Sequence, residues 1–211
     1  MNPAPVLVLA THNQHKVAEL EAILAAAGAL GPLQLVAAGE MGVEPPPEDG
    51  LTFAANALTK ARVCSSVTGL PAVADDSGLC VAALGGAPGV FSARWAGGHG
   101  DDAANLALLL DQLRDLRDAD RGAWFECAAA LVVPGGSESE TVEVVESGRM
   151  VGSLSRSPRG SNGFGYDPIL VPEGMAVTAA ELSAEQKNAI SHRGRAFRAL
   201  APAIRNLWFA E

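Results

Sequence analysis

Residues 6–28, VLVLATHNQHKVAELEAILAAAG, decide the fold class. Val6 to Ala10 form a short continuous apolar run, which predicts a strand buried on both faces. The polar segment from Thr11 to Lys16 interrupts it. Val17, Leu20, Ile23, Leu24 and Ala27 then recur at helical spacing, and Gly28 supplies a C-terminal stop. A buried strand leading through a polar turn into an amphipathic helix opens an α/β chain.

Outward from there, residues 33–38 read as a second strand and 39–50 as a loop containing Pro45, Pro46 and Pro47. Thr52 is placed to cap a helix reaching Val67, with Phe53, Ala57, Ala61 and Cys64 on one face. Residues 70–74 read as a strand that ends in the turn signal Asp75-Asp76-Ser77-Gly78, and 79–84 resume as strand. An amphipathic helix is predicted over 101–116. Residues 124–133 and 140–145, separated by Pro134-Gly135-Gly136, have the pattern of a β-hairpin. The stretch 155–167 reads as loop, 169–171 as a brief strand, 181–182 as the opening of a short helical turn, and 194–209 as a terminal helix. Early alternation of strands and helices followed by a hairpin predicts an α/β fold with a mixed sheet.

The 211 residues hold 48% hydrophobic and 18% charged side chains, enough for a substantial core and a single domain over residues 1–211. A formal net charge of −9 excludes a general nucleic-acid binder, which needs a basic face. Cys64, Cys80 and Cys127 are odd in number, well spaced and set in apolar surroundings, so reduced thiols are expected rather than disulfides or a zinc site. No basic n-region precedes the first apolar run, and no apolar stretch is long enough to span a bilayer; a cytoplasmic protein without membrane contact is the expectation. Lysine supplies only three of the fifteen basic residues, Lys16, Lys60 and Lys187. Against an arginine-rich background, each is a place where a compact ammonium has a use that a planar fork lacks.

Four segments carry chemistry. Thr11-His12-Asn13-Gln14-His15-Lys16 lies between a strand end and a helix start, where free N–H groups and the helix dipole favour an anion; a polar turn that merely caps the helix fits it as well. Glu44, Glu48 and Asp49 with Asp75 and Asp76 could present carboxylates to Mg²⁺, or form a solvated loop and an Asx turn. In Asn162-Gly163-Phe164-Gly165-Tyr166-Asp167-Pro168, the glycines allow close backbone approach and Phe164 offers a face for a base; the alternative is a tight turn around a core aromatic. Lys187, His192 and Arg193 are donors placed just before the terminal helix, fit either for an anion or carbonyl or for a helix approach capped by Ser191. The signatures of P-loop and dinucleotide sites are absent, as are paired CxxC and HExxH motifs.

In this order, THNQHK, EDGLTFAANALTKA, ADDSGL with GGAPGVFSARWAG, NGFGYDPI and ELSAEQKNAISHRGRA, the series resembles the RdgB/HAM1 family of inosine- and xanthosine-triphosphate pyrophosphatases. The resemblance implies an ITPase-like fold, a mixed twisted β-sheet with flanking helices in two lobes around an active-site cleft, and a homodimer. It implies Mg²⁺-dependent hydrolysis of non-standard purine nucleoside triphosphates to the monophosphate and pyrophosphate. By position, Asp76 would be the catalytic base and a metal contact, Glu48 a second metal ligand, and Asp75 its neighbour. Thr11, His12, Asn13, Gln14, His15, Lys16 and Lys60 would hold the triphosphate and Ser77 would touch the substrate. Phe164, Gly165, Tyr166, Asp167, Lys187, His192 and Arg193 would form the nucleobase pocket. Two positions depart from the family pattern: His12 stands where glycine is frequent, and Ala55 where an acid is frequent. A Maf-like nucleotide pyrophosphatase with other base specificity and a nucleotide-binding regulatory protein that does not hydrolyse are the alternatives.

Overall fold

A computed structural model describes residues 5–11, 14–136 and 140–209, with the side chains of all of these except 14, 15, 208 and 209. The strands are β1 (Val6–Leu9), β2 (Gln34–Ala37), β3 (Ala72–Val81), β4 (Gly122–Val133), β5 (Val142–Leu154) and β6 (Leu170–Pro172). The α-helices are α1 (Gln14–Ala26), α2 (Phe53–Thr68), α3 (Asp102–Gln112), α4 (Ala184–Ile190) and α5 (His192–Phe209). The strands form one mixed sheet in the order β2-β1-β3-β4-β5-β6. β1 runs parallel to β2, Val8 opposite Val36, and to β3, Val8 opposite Ala72; β5 is antiparallel to β6, Ser153 opposite Val171.

The chain divides into two compact units. One comprises Met1–Asp76, Cys127–Gly148 and Arg193–Glu211, the other Ser77–Glu126 and Arg149–His192. In the first, the two faces of β1 bury different side chains. Leu7 and Leu9 join Val73, Leu20, Leu24, Phe197 and Leu200 in a core that includes residues of α1 and α5. Val8 joins Ala72, Val43 and Cys64 in another that includes α2. Burial on both faces is why the run VLVL is apolar throughout. The second unit has its own core around Leu79, Leu109, Phe125, Met150, Tyr166 and Leu170. The three cysteines are buried free thiols, with burial pushing those of Cys64 and Cys80 up to about 11.

Local sequence explains the helix starts. Thr52, with extended backbone at φ −137° and ψ 153°, accepts a hydrogen bond from the Ala55 N–H, and Asp101 does the same for Ala104.

Three expectations are corrected. Asp75-Asp76-Ser77-Gly78 is not a turn but the middle of β3. Gly78 belongs there because a Cβ would strike the Gly89 carbonyl oxygen and the Ser92 hydroxyl. β5 continues well past Val145, its alternation hidden because Glu146, Gly148 and Gly152 take positions on the more buried face while Val145 and Val151 stand exposed. The segment after Leu182 forms the helix α4, started by a capping box in which Ser183 and Gln186 satisfy each other's backbone N–H groups. Ser191 accordingly closes α4 as well as preceding α5.

Candidate active site

Successive residues of a strand point to opposite faces, so Asp75 and Asp76 separate although they are adjacent in sequence. Asp75 shares its face with Val73, toward α1 and α5. Its Oδ2 accepts from Arg193 Nε at 3.1 Å and Nη2 at 3.0 Å, and Lys16 Nζ lies 3.3 Å away. Arg193 Nη1 also donates to Glu19 Oε2 at 2.8 Å, so one guanidinium links α1, β3 and α5. Burial alone would raise the Asp75 carboxyl, but Lys16, Arg193 and Lys60 outweigh it and hold it well below the usual carboxylate range.

Asp76 faces α2. Asn56 and Lys60 stand one helical turn apart, on one side of that helix, and both reach it. Asn56 Nδ2 donates to Asp76 Oδ2 at 2.9 Å, and Lys60 Nζ donates to Oδ1 at 3.2 Å. The same ammonium is ion-paired with Glu48. Burial raises the Asp76 carboxyl above its ordinary value; Lys60 and the Asn56 hydrogen bond oppose this, and the Glu48 charge adds to it. Burial would lower Lys60, but Asp76, Glu48 and Asp75 more than compensate and keep it charged. The outcome is a buried, fixed carboxylate of raised basicity, which suits removal of a proton from water.

The donor set can also be tested against Mg²⁺. Among the described residues, no three His, Cys, Asp or Glu side chains gather as a closed metal site. Glu48 and Asp76 do converge on a single cationic atom, the Lys60 ammonium. Mg²⁺ takes one or two carboxylates and fills its other positions with water and phosphate oxygens, so the chemistry of Glu48 and Asp76 fits the ion.

The second unit holds another cluster. Asp167, 2% exposed, accepts from the Phe164 N–H at 2.9 Å and pairs with Lys187 Nζ at 2.5 Å. Lys187 Nζ lies 5.1 Å from the centre of the half-exposed Phe164 ring. Gly163 has φ +76°, and a Cβ there would run into the Asp167 carboxylate. The Gly165 N–H donates to Asp102. Tyr166 is buried and donates to the Ser92 carbonyl oxygen at 2.9 Å, burial raising its phenol. His192 stacks on Phe125, ring centres 4.8 Å apart.

The structure thus gathers Lys16, Asp75, Asp76, Lys60, Glu48 and Arg193 in one unit, and Phe164, Asp167 and Lys187 in the other. Each of the three lysines meets an acid. Thr11 lies two residues beyond the end of β1, and Ser77 is half-buried on β3. His12 and Asn13 lie outside the described residues, as do the side chains of Gln14 and His15. Glu44 and Asp49 stand exposed in the loop before α2. Sequence reasoning gave no role to Asn56 or Glu19; a neutral amide and a helical glutamate carry no local signal. Elsewhere, a cavity of about 320 Å³ is lined by Asp111, Arg114, Arg121 and Arg156 with Ala107 and Leu110. Its arginines serve the end of α3 and the chain beyond: Arg121 donates to the Leu113 carbonyl, and Arg156 to those of Arg114 and Leu116.

Comparison with known proteins gives a consistent picture. The model of the Ham1 family matches residues 7–203. A dITP/XTP pyrophosphatase of Streptomyces coelicolor is 60% identical over 95% of this chain and 98% of its own. One of Mycobacterium tuberculosis is 54% identical over 95% and 96%. Among solved structures, a HAM1 protein from Coxiella burnetii superposes with a TM-score of 0.83 at 42% identity, covering 95% of this chain and 98% of its own. The Staphylococcus aureus Ham1 protein gives 0.80 at 34%, covering 96% and 99%.

Proposed function

This chain belongs to the Ham1 family, and from that premise we propose that it hydrolyses non-standard purine nucleoside triphosphates, of the dITP and XTP class, to the monophosphate and pyrophosphate. The observation that carries the reading is Asp76, a buried carboxylate of raised basicity held between Asn56 and Lys60 with Glu48 converging on the same ammonium. Asp76 takes the proton of the attacking water as it adds to the α-phosphorus. Lys16 and Lys60 offset the charge that builds on the departing pyrophosphate, with the segment from Thr11 to His15 at the start of α1 binding phosphate oxygens. Glu48 and Asp76 would hold Mg²⁺, which when bound neutralises phosphate charge and orients the oxygens.

Phe164 stacks under the base, with Gly165, Tyr166 and Asp167 shaping its loop and Ser77 touching the substrate. Lys187, His192 and Arg193 supply donors for a 6-oxo group, which adenine's 6-amino group would leave unsatisfied. A homodimer and a cytoplasmic site of action accompany this reading. Among the described residues, no helix is long and apolar enough to cross a membrane.

The test is a panel of nucleoside triphosphates incubated with Mg²⁺, with both phosphate products measured. ITP is expected to give IMP and pyrophosphate. IDP with orthophosphate would move the attack to another phosphorus, and binding without turnover would leave a regulatory protein. Lys16→Ala is expected to raise the KM for ITP roughly tenfold or more, the value of a lost charged hydrogen bond, while the ITP-to-ATP preference stays the same. A changed preference in steady-state kinetics would take Lys16 away from the phosphates.

A further inference from the structure

We propose that Asn56 is a positioning residue for this hydrolysis: its side chain clamps the Glu48-bearing loop to the carboxylate of Asp76, so that the two acids converge on one cation. The inference rests on the reading of Asp76 as the base. Asn56 is 2% exposed in the first turn of α2, where the Thr52 cap fixes the backbone that carries it. Both ends of its amide are used. Nδ2 donates to Asp76 Oδ2 at 2.9 Å, and Oδ1 accepts the Gly50 N–H at 2.8 Å.

Gly50 lies two residues beyond Glu48, so the second bond ties down the segment from which Glu48 reaches Lys60. The fit is close: a Cβ on Gly50 would collide with Asn56 Oδ1. Lys60, one turn further along α2, takes the other oxygen of Asp76, so helix geometry sets both oxygens of that carboxylate at once. The amide offers a donor to Asp76 and an acceptor to the loop from two separate atoms of one short side chain. Aspartate at this position keeps the acceptor and loses the donor; alanine loses both.

That difference separates positioning from simple loop anchoring. In the full-length enzyme, Asn56→Ala and Asn56→Asp are both expected to lower kcat for ITP roughly 10- to 100-fold, the cost of a misplaced reacting group, with KM within about threefold. Calorimetric titration with Mg²⁺ alone, without nucleotide, is expected to show affinity for Asn56→Ala weakened by roughly tenfold, as for other groups that orient metal ligands.

Asn56→Asp with wild-type kcat would reduce Asn56 to a loop anchor and overturn the proposal; so would losses confined to melting temperature or KM. Gly50→Ala reaches the same contact from an irregular loop and decides the matter if Asn56→Ala does not fold: kcat should fall with KM held, and unchanged kcat overturns the clamp. Asp76→Asn is assayed in parallel. If that variant stays active, the reading of the base fails; if it is inactive while the Asn56 variants match wild type, the positioning inference alone fails.

Discussion

Asp76→Asn is expected to lower kcat for ITP by roughly a thousandfold or more, with nucleotide affinity kept within about tenfold. The amide preserves the shape of the carboxylate but cannot take a proton. Its surroundings make the substitution informative in a second way. Both oxygens of Asp76 receive donors, Asn56 Nδ2 on one and Lys60 Nζ on the other. An amide must turn its NH₂ toward one of them, and this donor-to-donor contact costs about 1–3 kcal/mol. A modest fall in melting temperature should therefore accompany the kinetic loss. In the wild type, activity is expected to fall as pH drops through the Asp76 pKa, which lies above the ordinary carboxylate value because burial is the largest influence on it. That acid limb should disappear with the side chain. Near-normal turnover in single-turnover assays would place the base elsewhere.

Arg193→Ala is expected to be the most destabilising single change at the site. The guanidinium is 1% exposed and donates through three nitrogens to Asp75 and Glu19. Removing it leaves buried carboxylates short of a cation, at a cost of about 3–5 kcal/mol. For a chain of this length the melting temperature should drop by roughly 6–20 °C in calorimetry. The deficit depends on pH in a defined direction. Asp75 is held below its unfolded value of about 3.9, so the stability it contributes is complete above that value and is lost as pH falls through and below it. The difference between variant and wild type should be full near neutrality and narrow below about pH 4. A melting temperature within 2 °C of wild type, against a shift of about 2–4 °C per kcal/mol, would show the ion pairs to be weak. The ratio of kcat/KM for ITP and ATP, measured on the same variant, separates the remaining role. A roughly tenfold fall gives Arg193 the contact with the base that the family resemblance implies, and an unchanged ratio confines it to the ion pairs.

What could be read from sequence followed the range of the interactions involved. β1, α1 and the Thr52-capped α2 rest on neighbours in the chain, and their patterns were plain. The acid pair was legible as chemistry but not as structure. Two aspartates followed by serine and glycine have the composition of a turn, and the cations that meet them within β3 are distant in sequence: Arg193, 118 residues from Asp75, with Lys16, and Lys60 for Asp76. Asn56 was invisible for a related reason, since its partners are a backbone N–H and a carboxylate 20 residues on. The capping residues Ser183 and Gln186 were present in the sequence and would have revealed α4, the helix that carries Lys187. The lysines fared better. Their rarity marked three positions, and each meets a carboxylate: Asp75, Asp76 with Glu48, and Asp167.

The alternation of Asp75 and Asp76 across β3 makes the strand a counting device. Each acid reaches its cations by parity alone, odd positions toward Arg193 and even ones toward Lys60. Deleting one of the three residues Ala72, Val73 and Ala74 would remove no polar side chain of the site, yet it would present the aspartates to the wrong faces of the sheet. Deleting two would restore the parity and shift the pair by a single repeat along the strand, about 6.6 Å. Odd insertions or deletions in this part of the chain would therefore exchange the faces of the two acids, and even ones would keep the faces but draw both carboxylates out of hydrogen-bond reach of Arg193, Asn56 and Lys60, whereas substitutions face no such rule.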